Sequence, residues 1–340
     1  MNTIINPHFV FDIQLFADPL VPTAGQGVAG PVNVSSDSGL TTEMKSFYNN
    51  QLLQNVRANL VYNQFGKRTT LPKGHGKTVE WRRMKTFKKI DTPLVEGQIP
   101  AGTSLEMETI TADVAQYGDY TAISDVLEFG SVDPLIGETN NEHAANAALS
   151  LDALTRDIVC AGTNIYYAGK AEDENALTAN SVMTYEDIAI MSTLLERVNT
   201  PTIDGSYVCE IHPDVYNDVR LNDKWIDVAK YADGQKIFNG EVGKIHNVRF
   251  VKTSQAKIEK NANGLAVYNC TFHGLDAWGN IDPEGMGLET IVKGKGEIGG
   301  PLEQFSTVGW KAMHGAKILY EERIINYICT SSLAGIAEAN

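Results

Sequence analysis

The sequence predicts an α+β fold in which one long helix and one long hairpin stand apart from a mixed module of short strands and helices. Three observations predict it. Residues 133–168 repeat apolar positions at three- and four-residue spacing (Ala144, Ala148, Leu151, Thr155, Ile158, Val159) over an alanine-rich body. Residues 78–84 alternate as a strand, and a second alternating run at 110–115 follows a turn-rich stretch. From residue 200 onward, short β-branched and aromatic runs are punctuated by glycine-rich turns. A chain of 340 residues allows one elaborated domain or two modest ones.

Residues 1–40 read as an arm. The apolar patch Phe9, Val10, Phe11, Ile13, Leu15 and Phe16 runs into a Pro- and Gly-rich stretch that builds no core of its own, so the arm either docks on a neighbouring subunit or frays. Residues 41–66 hold a helix over roughly 42–64, with Thr41 or Thr42 as N-cap, apolar positions at Met44, Phe47, Tyr48, Leu52, Val56 and Leu60, and Gly66 beyond its end. Residues 67–123 form a protruding hairpin, with Thr78–Met84 paired to the run marked by Ile110, Ala112 and Val114. Residues 124–179 carry the long helix, opened by Asp133 as N-cap and Pro134 at the first helical position. Some 30 helical residues would reach about 45 Å, too long to lie within one small core.

Residues 180–305 begin with Thr184-Tyr185-Glu186-Asp187, which opens an amphipathic helix to about Val198. Strands are expected at 207–211, 248–251, 265–268 and 288–292, and a helix near His212-Pro213-Asp214. Residues 306–340 bring two strands back between Val308 and Cys329, with Trp310 and Ile318 to Tyr320 as core.

Charge is distributed unevenly. Residues 67–89 hold nine basic side chains (Lys67, Arg68, Lys73, Lys77, Arg82, Arg83, Lys85, Lys88, Lys89) and one acid, Glu80. Residues 90–155 hold twelve acids and no Lys or Arg. A basic strand beside an acidic one pairs across the ladder, but the surplus points to a second acidic partner. With a net charge of −14 overall, another copy of this chain supplies that acidity without any new molecule, and these nine residues are the expected contacts between subunits. Nucleic acid on the hairpin, with Trp81 and Phe87 stacking bases, and a merely solvated basic loop are the competing readings.

Other chemistry finds little support. The four cysteines, Cys160, Cys209, Cys270 and Cys329, are too far apart for a C-x-x-C pair and read as buried thiols. Gly294, Gly296 and Gly299 match G-x-G-x-x-G, but Gly300-Pro301 follows where a dinucleotide fold needs a helix. Gly76-Lys77-Thr78 resembles the end of a phosphate loop, yet Leu71 stands where its first glycine belongs, so this is a turn. The seven histidines fall in no metal-ligand spacing, and no nucleophile elbow occurs. No catalytic residue, metal ligand or cofactor is expected. A hydrolase would have to assemble its site within 200–310 from His212, Asp214, His246 and His273, which read better as capping and turn residues. No stretch has the roughly 20 apolar residues of a membrane span, so no membrane partner is expected.

Several blocks in order carry a resemblance. They are Gly97-Gln98-Ile99-Pro100 and 117–125 (Tyr-Gly-Asp-Tyr-Thr-Ala-Ile-Ser-Asp), then Ile211-His212-Pro213-Asp214, Lys230-Tyr231-Ala232 and 237–244, then 306–312 and 315–319. Over roughly 40–329 the chain resembles the major capsid proteins of tailed bacteriophages, and within them the N-four-like phage capsid family. The resemblance implies the Hong Kong-type viral capsid fold: an N-terminal arm, an extended E loop hairpin near 67–123, a peripheral domain with the spine helix near 134–168, an axial domain near 180–305, and peripheral strands from 306. It implies pentamers and hexamers in an icosahedral virion head shell around double-stranded DNA held without sequence-specific contact. A scaffolding protein, a portal and a cement protein are the implied partners, with assembly in the host cytoplasm. No covalent crosslink between subunits is expected, because no local pattern selects a lysine and asparagine pair. An encapsulin-like bacterial shell protein is the alternative within the same fold.

Overall fold

A computed structural model describes residues 32–33, 61–91, 93, 96–97, 99, 102–131, 134–221, 241–295, 297, 302–335 and 339–340. The arm patch Phe9, Phe11, Leu15 and Phe16, residues 42–60 of the helix expected over roughly 42–64, and the Lys230-Tyr231-Ala232 block lie outside the described residues. The elements in chain order are β1 (Val32–Asn33), α1 (Tyr62–Phe65), β2 (Lys67–Leu71), β3 (Thr78–Met84), β4 (Met107–Asp113), β5 (Ala115–Ser124), α2 (Asp125–Gly130), α3 (Leu135–Cys160), β6 (Ile165–Tyr167), α4 (Tyr185–Arg197), β7 (Tyr207–Ile211), α5 (Pro213–Arg220), β8 (Glu241–Ile245), β9 (Val248–Lys252), β10 (Ile258–Lys260), β11 (Ala266–His273), β12 (Trp278–Pro283), β13 (Glu289–Lys293), β14 (Phe305–Ile318) and β15 (Ile324–Cys329). They fall into two compact units. One takes its described residues from β1, 119–144 and 290–310, the other from 61–118, 145–289 and 311–340.

The larger unit is built on a sheet in the order β6-β15-β11-β7-β9-β8, with β10 paired to the 266–268 end of β11. Its central strands read as buried runs because both faces are covered: every residue of β7 is buried, as are seven of the eight in β11. The parallel pairing of β7 with β9 requires a crossover, and α5 begins it, with the His212 ring nitrogen Nδ1 accepting from Asp214 N at 3.2 Å. The β8–β9 turn places His246 and Asn247 at φ of +44° and +64°, the left-handed pair that a two-residue hairpin loop demands. Helix α4 starts in a capping box in which Thr184 and Asp187 satisfy each other's backbone N–H groups. Its Ile188, Met191 and Leu195 lie on one face and belong to the same buried apolar cluster as Phe250, Phe272 and Tyr327.

The long helix α3 has 26 residues, about 39 Å, and ends at Cys160 instead of continuing to 168. Gly162 N closes the last turn on the Val159 carbonyl at 3.2 Å, and a second contribution comes from across the sequence. The buried Asn326 side chain donates from Nδ2 to the carbonyls of Val159 and Cys160 at 3.3 and 3.1 Å, satisfying acceptors that end the helix, and 165–167 then pair in parallel with β15 as β6. Inside the same unit, Asp152 of α3 accepts from Val61 N at 3.2 Å and Asn63 N at 2.9 Å, fixing the entry to α1. Around this clamp Val61, Tyr62, Phe65, Val159, Val208 and Trp278 form a second apolar core. Strand β2 pairs in parallel with β12, and β12 in turn pairs antiparallel with the 315–318 end of β14.

In the smaller unit β1 lies parallel to β5, with Val32 opposite Ala122, and β14 runs on the other side of β5. Gly309 permits that approach: a Cβ there would stand 2.6 Å from Tyr120 Cβ and 2.7 Å from the Asp119 carbonyl oxygen. Helix α2 is capped by Ser124 Oγ, which accepts from Leu127 N at 3.3 Å, and Asp125 N donates to the Gln304 carbonyl at 2.9 Å.

Candidate functional site

The hairpin is a two-stranded antiparallel ribbon with Thr78 opposite Asp113 and Met84 opposite Met107. Its inward face is set by alternation: Val79 and Ala112 are buried, and Trp81, Arg83, Glu108 and Ile110 are half-buried. Trp81 packs rather than presenting a stacking platform. Its Nε1 donates to Thr69 Oγ1 at 3.0 Å, and its ring lies where a Cβ on Gly279 of β12 would meet it at 3.0 Å. Strand β2, expected within the hairpin, instead joins β12. The loop between β2 and β3 turns on Gly74 and Gly76 at φ of +90° and +88°, the simple turn expected of Gly76-Lys77-Thr78.

The nine basic residues divide into three groups. Arg83 is an anchor: Nε pairs with Glu108 at 2.8 Å, Nη1 donates to the Leu319 carbonyl at 3.2 Å, and the guanidinium lies 5.0 Å over the Tyr320 ring. The hydrogen bond that Arg83 donates to Glu108 raises the Arg83 pKa further above its already high value. Lys67 with Asp276, Arg82 with Glu80, Lys85 with Glu106 and Lys89 with Asp91 form exposed ion pairs at 3.5, 2.6, 3.0 and 3.0 Å. Such pairs exchange readily with solvent or a partner, each contributing about 0–1 kcal/mol. Arg68, Lys73, Lys77 and Lys88 are exposed, with no acidic partner within 4.0 Å among the described residues. Phe87 is 59% exposed, and Met84, Ile90, Ile99, Leu105 and Met107 are exposed as well, a density of bare apolar side chains that marks an interaction surface.

The residues that a hydrolase would need are engaged separately. His212 caps α5, and Asp214 accepts from Tyr268 Oη at 2.6 Å, its carboxyl held below the usual range first by the His212 hydrogen bond. His246 sits in its turn against the Tyr185 ring, 4.3 Å between centroids. His273, expected in a turn, is instead wholly buried in β11. Its Nε2 lies 2.8 Å from Glu210 Oε1 and its Nδ1 3.1 Å from the Gly274 carbonyl, with Trp278 edge-on at 4.6 Å. The contact gives each of these two buried polar side chains a partner inside the core. The sequence signal was Glu210 inside the otherwise apolar run Tyr207–Ile211. Among the described residues no three His, Cys, Asp or Glu side chains are grouped to hold a metal ion, and no helix is long and apolar enough to cross a membrane. All four cysteines are free and buried, and burial pushes the Cys160 thiol up to about 12.

A family model described as phage capsid protein matches residues 107–324. Among solved structures, the capsid of cyanophage P-SCSP1u is similar at a TM-score of 0.66 and 15% identity, covering 92% of this chain and 100% of that one. The capsid of Ralstonia phage GP4 is similar at a TM-score of 0.65 and 15% identity, over 89% and 98% of the two chains. The capsid of cyanophage Pam1 gives 0.66 and 12%, over 87% and 99%. No curated protein matches the chain.

Proposed function

The chain belongs to the phage capsid protein family and has the α+β Hong Kong-type capsid fold, and from that premise we propose how its copies build a head shell. It is a structural protein of the shell, a major capsid protein whose partner is itself. Copies associate as pentamers and hexamers that close into an icosahedral head around double-stranded DNA. The observation that carries this is the family match across 107–324 together with similarity to capsids over nearly their whole lengths.

The hairpin acts as the E loop reaching over a neighbouring subunit, α3 as the spine of the peripheral domain, 180–305 as the axial domain, and the patch Phe9, Phe11, Leu15 and Phe16 as an arm covered by another copy. Bare apolar side chains on the hairpin supply burial, at roughly 25 cal/mol per Å² removed from water. The basic residues supply register and choice of partner. Each contact is modest, and closure of the shell makes the assembly strong. The net charge of −14 suits a container for DNA, because a basic lining would bind the genome and impede its packing and release. A scaffolding protein and portal during assembly, a cement protein on the finished shell, and assembly in the host cytoplasm complete the proposal.

The test reverses charge where it does not serve the fold. Arg83 is tied to Glu108, Leu319 and Tyr320, so the informative pair is Arg82→Glu with Lys88→Glu. The doubly reversed chain is expected to fold like the wild type by circular dichroism and thermal melting, and to lose assembly. Loss of folding together with assembly, or assembly undisturbed, would remove the hairpin from the subunit interface.

A further inference from the structure

Helix α2 is an apolar ledge whose side chains are left bare by the described residues of its own unit. Phe129 is 93% exposed, Val126 lies one turn back on the same side, and Leu302 is bare on the segment that meets the start of α2 through Gln304. Its surroundings are acidic. Asp119, Asp125, Glu128, Glu138 and Glu142 belong to this unit, and among the unit's described residues the only Lys or Arg side chains are Lys293 and Lys295, the latter paired with Glu128 at 3.2 Å.

The hairpin has two unlike edges. Residues 82–90, on the β3 side, hold five Lys or Arg and no acid, together with the exposed Met84, Phe87 and Ile90. Residues 102–113, on the β4 side, hold Glu106, Glu108 and Asp113 and no Lys or Arg. Pairing two ledges, two β3 edges, or a ledge with a β4 edge sets like charges against each other. A ledge against a β3 edge joins apolar to apolar and acid to base. We propose that the β3 edge of one copy docks on the α2 ledge of the next, which makes the contact head-to-tail and able to close into a ring. This rests on the shell reading above and adds to it which two surfaces meet.

The test uses the full chain with Phe87→Cys and Phe129→Cys, treated with a short bismaleimide in assembled particles. The native cysteines are buried and do not compete. The expected result is a ladder of linked chains up to pentamers and hexamers on a denaturing gel, with several-fold less from the control pair Leu105→Cys and Phe129→Cys. A second pair, Lys88→Cys with Val126→Cys, guards against one pair failing to fold, and is expected to ladder likewise. Intact particles in which neither β3-edge pair ladders, or in which the control ladders equally, would overturn the docking while leaving the shell intact. A wild-type chain that forms no particles would overturn the shell reading itself, and the docking with it.

Discussion

Replacing Asp152 by alanine tests how the long helix holds the entry to α1. Asp152 is 1% exposed and accepts from Val61 N at 3.2 Å and Asn63 N at 2.9 Å, so the alanine variant leaves two N–H donors without their partner. Each such donor costs about 1–3 kcal/mol, and relief from burying the carboxylate returns part of it, for a net loss of about 2–4 kcal/mol. Burial holds the Asp152 carboxyl above the usual carboxylate range, against the opposing pull of the backbone N–H bonds. Its stabilising contribution is therefore fully present below the unfolded value, about 3.9, and is lost as pH rises through the folded value. Asp152→Asn keeps one acceptor and sheds the charge, so at neutral pH it is expected within about 1 kcal/mol of the wild type, gaining on it as pH rises. Urea unfolding followed by tryptophan fluorescence measures both, since Trp278 lies in the same core. An alanine variant within about 0.5 kcal/mol of both the wild type and the asparagine variant would refute the clamp.

Three further outcomes are expected. Burial holds the His314 imidazole below its ordinary value, with Asp282 opposing, and its Nε2 lies 2.9 Å from Thr155 Oγ1. Stability from this group is present above about 6.5 and lost as pH falls from there toward the folded value, so the melting temperature should drop across that window and drop less in His314→Gln; identical pH profiles would contradict it. Gly309→Ala forces a Cβ against Tyr120 and Asp119 and should cost about 1–3 kcal/mol in urea unfolding, whereas an unchanged midpoint would mean that β14 and β5 separate freely. The buried thiols should resist a disulfide-exchange reagent in the native protein and react on unfolding, and rapid labelling of any native thiol would place that cysteine at the surface.

Much of this was legible in the sequence where local chemistry is decisive. The Thr184-to-Asp187 helix start, the His212 cap before Pro213, and the alternation of 78–84 against the run at 110–115 all announce their elements. The edges of these elements were less legible, because distant partners set them. The end of α3 at Cys160 is closed locally by Gly162 N on the Val159 carbonyl and from afar by Asn326, on the last strand of the chain, which no local pattern shows. Strand β2, Lys-Arg-Thr-Thr-Leu, reads as a charged stretch and is drawn into the sheet only by its parallel partner β12. The basic run over 67–89 was visible as a surplus, but a count cannot tell an anchor from a free cation. The structure sets Arg83 among Glu108, Leu319 and Tyr320, and leaves Arg68, Lys73, Lys77 and Lys88 without an acid among the described residues. His273 was misread as a turn residue because its partner Glu210 lies on another strand, and only the sheet register brings them together.

The central claim, that copies of this chain close into a shell, is tested most directly by light scattering and negative-stain microscopy of the purified protein over a range of concentrations, with and without scaffolding protein. Rings of five and six subunits, or closed hollow particles, are the predicted result. A chain that remains a monomer under every condition would contradict it.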